Sequence, residues 1–73
     1  MARAITIYTP PGRTTVLTTV NADGPAGGGY IIQAGQPVGG LRNNTDYFID
    51  VAGVAQTNKF TYLSATDELR ERI

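Results

Sequence analysis

"DYFIDVA", residues 46–52, is the stretch on which the reading of the fold turns. Tyr47, Ile49 and Val51 fall on one side of an extended chain, and Phe48 and Asp50 on the other. Strict alternation of this kind is the pattern of a strand with one face buried and one face wet. Four further runs repeat it. In "AITIYT" (4–9), Ile5 and Ile7 oppose Thr6 and Tyr8. In "TTVLTTV" (14–20), Val16 and Val20 flank Thr18, with Leu17 opposite. In "YIIQA" (30–34), Tyr30 and Ile32 share a side, and in "KFTYLS" (59–64) Phe60 and Tyr62 do.

Composition points the same way. The chain carries ten Thr against one Ser, with four Tyr and two Phe. β-Branched and aromatic side chains suit a pleated, half-buried surface. Turn residues punctuate the runs. Pro10-Pro11-Gly12 predicts a hairpin pairing roughly 3–9 with 14–20, and residues 21–29, "NADGPAGGG", read as a long connection. A second Gly-rich loop spans 35–44. The expected fold is all-β: a small five-stranded barrel or sandwich, one domain over 1–73, with a core of Ile5, Ile7, Val16, Val20, Ile32, Tyr47, Ile49, Val51, Phe60 and Tyr62.

The C-terminal "SATDELRERI" (64–73) reads instead as a short helix. Ser64 would cap it, Asp67 and Glu68 would sit at its positive end, and Glu68 and Arg72 would pair at i, i+4. Its apolar stripe, Ala65, Leu69 and Ile73, is narrow, and so short a helix needs something to dock on.

A 73-residue chain is near the size at which a hydrophobic core alone gives a marginal fold. With no Cys and no His, disulfides and the usual zinc sites are excluded. Oligomerisation, or docking on a larger body, is the remaining source of stability. Six basic and six acidic residues cancel, and five of the twelve lie in the last seven positions. That balance lacks the basic footprint of a nucleic-acid binder, so no nucleic acid is expected as partner. No apolar run reaches membrane-spanning length, and "MARAITIYTPP" (1–11) has no extended apolar segment, so neither a membrane partner nor a signal peptide is expected.

Catalysis lacks its usual instruments: no imidazole and no thiol. Asp46 and Asp50 share a strand face, yet four residues of strand separate them by roughly 13 Å, too far for a shared metal or an acid–base pair. Gly27-Gly28-Gly29 lacks the spacing of either nucleotide fingerprint. The reading is therefore no catalytic residue, no metal site and no cofactor. Tyr8, Phe48 and Tyr30 are the candidates for an exposed stacking platform.

Two resemblances add to this. In "LRNNTDYFIDVAG" (41–53), Leu41, Thr45 and Tyr47 have the spacing of the tyrosine corner of fibronectin type III domains, without the usual Pro between Leu and Thr. The resemblance implies a turn entering a strand whose Tyr packs inward. The Gly/Ala/Thr-rich texture of "QAGQPVGGL" (33–41) and "VAGVAQTNKFTYLSA" (51–65) resembles the small head-decoration, or cement, proteins of tailed bacteriophages. It implies a non-enzymatic protein of the virion, made in the host cytoplasm. Such a protein would be oligomeric and bound to a major capsid protein or another virion protein. The residues expected to meet such partners are Asp23, Gly24, Pro25, Gly27, Gly28 and Gly29 in the first loop. Gln36 and Pro37 in the second loop, and Leu69 and Ile73 at the end, complete the set. A phage connector or tail component, or a peptide- or carbohydrate-binding module, is the alternative.

Overall fold

The computed structural model describes residues 2–24 and 27–73. It is all-β. Eight strands run in chain order β1 (Ala2–Tyr8), β2 (Val16–Asp23), β3 (Gly29–Ile32), β4 (Thr45–Tyr47), β5 (Ile49–Val51), β6 (Val54–Ala55), β7 (Phe60–Leu63) and β8 (Glu68–Glu71). All belong to one antiparallel sheet ordered β4-β7-β8-β3-β2-β1-β5-β6. The five alternating runs are all present as strands, but the expected count of five and the C-terminal helix are not: there are eight strands, and no helix among the described residues.

The order contains a constraint. β4 stands at one end of the sheet, beside β7, and β5 stands next to the other end, beside β1. Yet β4 and β5 are one extended run interrupted only by Phe48. The alternation of "DYFIDVA" continues through the break, with Tyr47, Ile49 and Val51 buried and Asp46, Phe48 and Asp50 facing outward, half-buried. A sheet whose two ends are covalently joined must curl until they meet. At the junction the Tyr8 N–H donates to the Phe48 carbonyl (3.1 Å). Curling also needs no turn or long connection, which is how so short a chain encloses a core.

That core lies on the concave side. Ile5 opposite Val20 and Val51, Ile7 opposite Ile49, and Phe60 opposite Tyr47 are cross-strand pairs pointing the same way. Ile5, Ile7, Val20, Ile49 and Leu69 are sealed from solvent. Each full burial of this kind stabilises by about 1.5–3 kcal/mol before entropy is counted. Three residues join the expected core: Ala22, Leu41 and Leu69. One leaves it. Val16 is 53% exposed, because the ladder shifts register between Ile7 and Tyr8 and Val16 lies at the loop end of the hairpin, opposite Tyr8.

Why the C-terminus is a strand is visible in the same ladder. Glu68–Glu71 pairs with β3 on one side and β7 on the other, so its backbone groups are satisfied twice over. Leu69 enters the core opposite Tyr30 and Tyr62. A lone helix of this length would dock two apolar residues and leave β3 and β7 with open edges. Ser64–Asp67 is then a four-residue turn, not a helix cap. Asp67 sits at φ +53°, a left-handed conformation outside any helical first turn. Glu68 pairs with Arg70 two residues on, its neighbour on one strand face, rather than with Arg72. Residues 21–23, expected in the loop, extend β2 instead.

The tyrosine-corner geometry is present: the Arg42 N–H donates to the Tyr47 hydroxyl (2.8 Å), across the turn that enters β4. Gly29 is fixed by a close approach of a different kind. A Cβ there would lie 2.6 Å from the Leu69 carbonyl oxygen of β8. Backbone cannot yield as a flexible side chain can, so Gly29→Ala should separate β3 from β8 and cost about 1–3 kcal/mol, as overpacking does. Thermal unfolding of the variant should show a midpoint lower by ~4–8 °C for each kcal/mol.

Candidate functional site on the outer face

The convex face carries the polar chemistry, because alternation that sends Tyr47, Ile49 and Val51 inward sends Asp46, Phe48 and Asp50 out. Three clusters form there, and a fourth polar contact is made by the core residue Tyr62. The richest surrounds Arg13, on the loop between β1 and β2. Arg13 Nη1 donates to Asp50 Oδ1 (2.7 Å) and to the Ile49 carbonyl (3.3 Å). Arg13 Nη2 donates to the Gln56 carbonyl. The guanidinium carbon lies 4.9 Å from the Phe48 ring centre and 5.8 Å from that of Tyr8. Tyr8 donates its hydroxyl to the second carboxylate oxygen, Asp50 Oδ2 (2.6 Å). Lys59 Nζ approaches Phe48 as well, at 5.2 Å. Asp50 therefore accepts from both a cation and a phenol, and holding that phenol proton raises the Tyr8 pKa.

The second cluster is Asp46, which accepts from Thr61 Oγ1 (2.6 Å) and, at 3.4 Å, from Arg72. Glu68 forms the third. It is largely buried, accepts from Thr66 Oγ1 (3.1 Å) and meets Arg70 at 3.1 Å. The fourth is the Tyr62 hydroxyl donating to Asp67 Oδ1 (2.8 Å). These contacts differ in weight. The long, exposed Arg72–Asp46 pair contributes at most about 1 kcal/mol. Arg13, half shielded and fixed by three acceptors and two rings, belongs with charge-assisted bonds of about 1.5–3 kcal/mol.

The geometry separates Asp46 from Asp50 by giving each its own partners. Two of the three stacking candidates, Tyr8 and Phe48, share Arg13. The third, Tyr30, turns to the core and packs against Phe60 with ring centres 5.8 Å apart. Sequence reasoning missed Arg13 altogether. The only signal was a lone Arg beside Pro-Pro-Gly, and nothing in the sequence says which acceptor such a residue will find.

The residues expected at a partner surface are distributed between fold and surface. Asp23 ends β2 and accepts from Gln33 Nε2 (3.1 Å). Gly24 is required sterically, since a Cβ there would lie 2.7 Å from the Tyr30 ring. Pro25 lies outside the described residues. Gly27 and Gly28 are exposed, both at positive φ with open space around them. Gly29 is buried against β8, as above. Gln36 and Pro37 fold back on the edge of β2: the Asn21 N–H donates to Gln36 Oε1 (2.9 Å), and Thr18 Oγ1 donates to the Pro37 carbonyl (2.9 Å). Leu69 is in the core, and Ile73 is fully exposed. Asp23, Gly27, Gly28, Pro37 and Ile73 are thus the described members of the set that are exposed.

Tyr62 carries a pH dependence. Burial first, then the hydrogen bond to Asp67 and the charge of Asp67, push its pKa from 10.0 to about 12. The folded state holds the proton more tightly than the unfolded chain. Its stabilisation is complete below pH 10 and disappears as the pH rises from 10 through about 12. Urea denaturation across that window should show stability falling, and Tyr62→Phe should flatten the fall; the residual slope reports Tyr8, whose pKa is raised in the same direction. Compared with family models, curated proteins and solved structures, the chain matches none.

Proposed function

We propose that this protein is a non-enzymatic structural component of a viral particle, a capsid cement or decoration protein that reinforces a shell by packing against its subunits. The observation that supports a structural rather than a catalytic reading is the fate of the acidic residues. The chain has six, and every one accepts a hydrogen bond from a side chain of this same chain. Asp23 accepts from Gln33, Asp46 from Thr61, Asp50 from Arg13 and Tyr8, Asp67 from Tyr62, Glu68 from Thr66 and Arg70, and Glu71 from Asn58. Carboxylates so engaged hold loops and strand ends in place, and acid–base work would require releasing them.

A neutral outer surface held this way is suited to lying between other proteins, where unpaired charge would be costly to desolvate. The contacts with a neighbour would come from the Gly27–Gly28 tip, from Ile73, and from Val16 and Val54, both more than half exposed. The texture resemblance to head-decoration proteins gives the reading its specific form, and a connector or tail component fits the same observations. The carbohydrate-binding alternative is weaker, because Arg13 already lies over the rings of Tyr8 and Phe48.

Co-sedimentation with the purified particle, together with sedimentation velocity of the protein alone, tests the reading. Binding to the particle that saturates at a fixed ratio to the capsid subunit is expected, reduced several-fold by removing Ile73 alone. Larger C-terminal deletions are unsuitable, since they remove β8 from the middle of the sheet. A monodisperse monomer that neither self-associates nor binds any particle component would overturn the reading.

A further inference from the structure

The surroundings of Arg13 form a receptor as well as a contact. Asp50 offers a carboxylate already oriented by the Tyr8 hydroxyl, and the carbonyls of Ile49 and Gln56 add two acceptors. Phe48 and Tyr8 supply aromatic surface beside them. A planar, forked cation is the species that satisfies all of these together. An ammonium, being a point donor, cannot reach several acceptors while lying against two rings. Lys59, at hand beside Phe48, hydrogen-bonds none of those acceptors.

The occupant is held by a loop with little else to hold it. Among the described residues, Arg13 makes every side-chain hydrogen bond that ties residues 10–14 to the rest of the chain. The neck of that loop is closed separately, by the Thr9 N–H donating to the Thr15 carbonyl (2.7 Å). Pro10, Pro11, Thr14 and Thr15 are exposed. Withdrawing Arg13 would therefore lift the loop without breaking the ladder between β1 and β2.

From this we infer that the outer face carries a guanidinium-binding site, built by Asp50, Tyr8, Phe48 and the carbonyls of Ile49 and Gln56. It is kept closed by Arg13, and it accepts an arginine side chain of a partner protein when the loop lifts. Charge complementarity selects the occupant, since the Asp50 carboxylate is the acidic group of the site, Lys59 lies only against the Phe48 ring, and the site's acceptors outnumber its donors. A tethered side chain competes with an incoming one at an effective concentration of order millimolar. Arg13 is thus a self-inhibitor that sets a threshold for the partner. The inference goes beyond the assembly reading and does not depend on it.

Arg13→Ala opens the site, and methylguanidinium at millimolar concentration is the probe, with methylammonium as the charge-matched control. The variant's melting temperature should rise with methylguanidinium, and the ring-proton resonances of Tyr8 and Phe48 should shift in a saturable way. The native protein should respond at least ~10-fold more weakly at the same concentration. Adding Asp50→Asn to Arg13→Ala should abolish the response. A folded Arg13→Ala protein that ignores methylguanidinium, responds equally to methylammonium, or keeps its response after Asp50→Asn would overturn the inference. Should Arg13→Ala be unfolded, restoration of its native circular dichroism by methylguanidinium, and not by methylammonium, supports the site, and failure to restore it counts against the site.

Discussion

The strand formed by residues 45–51 is the constraint on which the rest of this structure depends. Its first half pairs with β7 and its second half with β1, so one short run of chain belongs to both ends of the sheet. The sheet must curl, and the curl creates an inside. Tyr47, Ile49 and Val51 project into it, and the cross-strand partners Phe60, Ile7 and Ile5 meet them there. A flat sheet of the same strands would expose those side chains on one side. With no cysteine for a disulfide, burial on one concave face is the main source of stabilisation described for a chain of this size.

Because alternation is strict, the same run determines the outer face. Asp46, Phe48 and Asp50 emerge between the buried residues, and each becomes an anchor. Asp50 and Phe48 hold the loop that bears Arg13, and Asp46 holds Thr61 and the C-terminal Arg72. Charge in this protein therefore works over short range, fastening connections to a sheet whose own ladder cannot reach them. Uncovered backbone is treated likewise. The loop after β3 lays Gln36 and Pro37 along β2 where β3 has ended, and Gln56 Nε2 donates to the Val54 carbonyl at the exposed β6. Edges closed in this way resist indiscriminate strand addition.

Much of this was legible in the residues themselves. The five alternating runs are strands, nine of the ten expected core residues are buried, and the spacing of Leu41, Thr45 and Tyr47 is accompanied by the Arg42–Tyr47 hydrogen bond. The misreading of residues 64–73 has a physical cause. "ELRE" has one apolar residue, and the i, i+4 spacing of Glu68 and Arg72 satisfies a helix template that counts local pairs. What overrides it is non-local: open edges on β3 and β7, some 40 residues and a few residues away respectively, between which a strand satisfies backbone groups on both sides. Val16 escaped the core for a similar reason, since a register shift near Tyr8 is not encoded in the alternation of either strand alone.

By itself, then, the sequence determined which residues alternate, and so which side chains share a face and that the chain is all-β, because that pattern is a property of neighbouring residues and the extended backbone. Tertiary structure alone decided that the sheet closes through Phe48, that "ELRE" fills a gap as a strand, and that Arg13 meets Asp50. Those outcomes are contacts between segments distant along the chain, and they depend on which backbone groups and which carboxylates are left unsatisfied once the rest has folded.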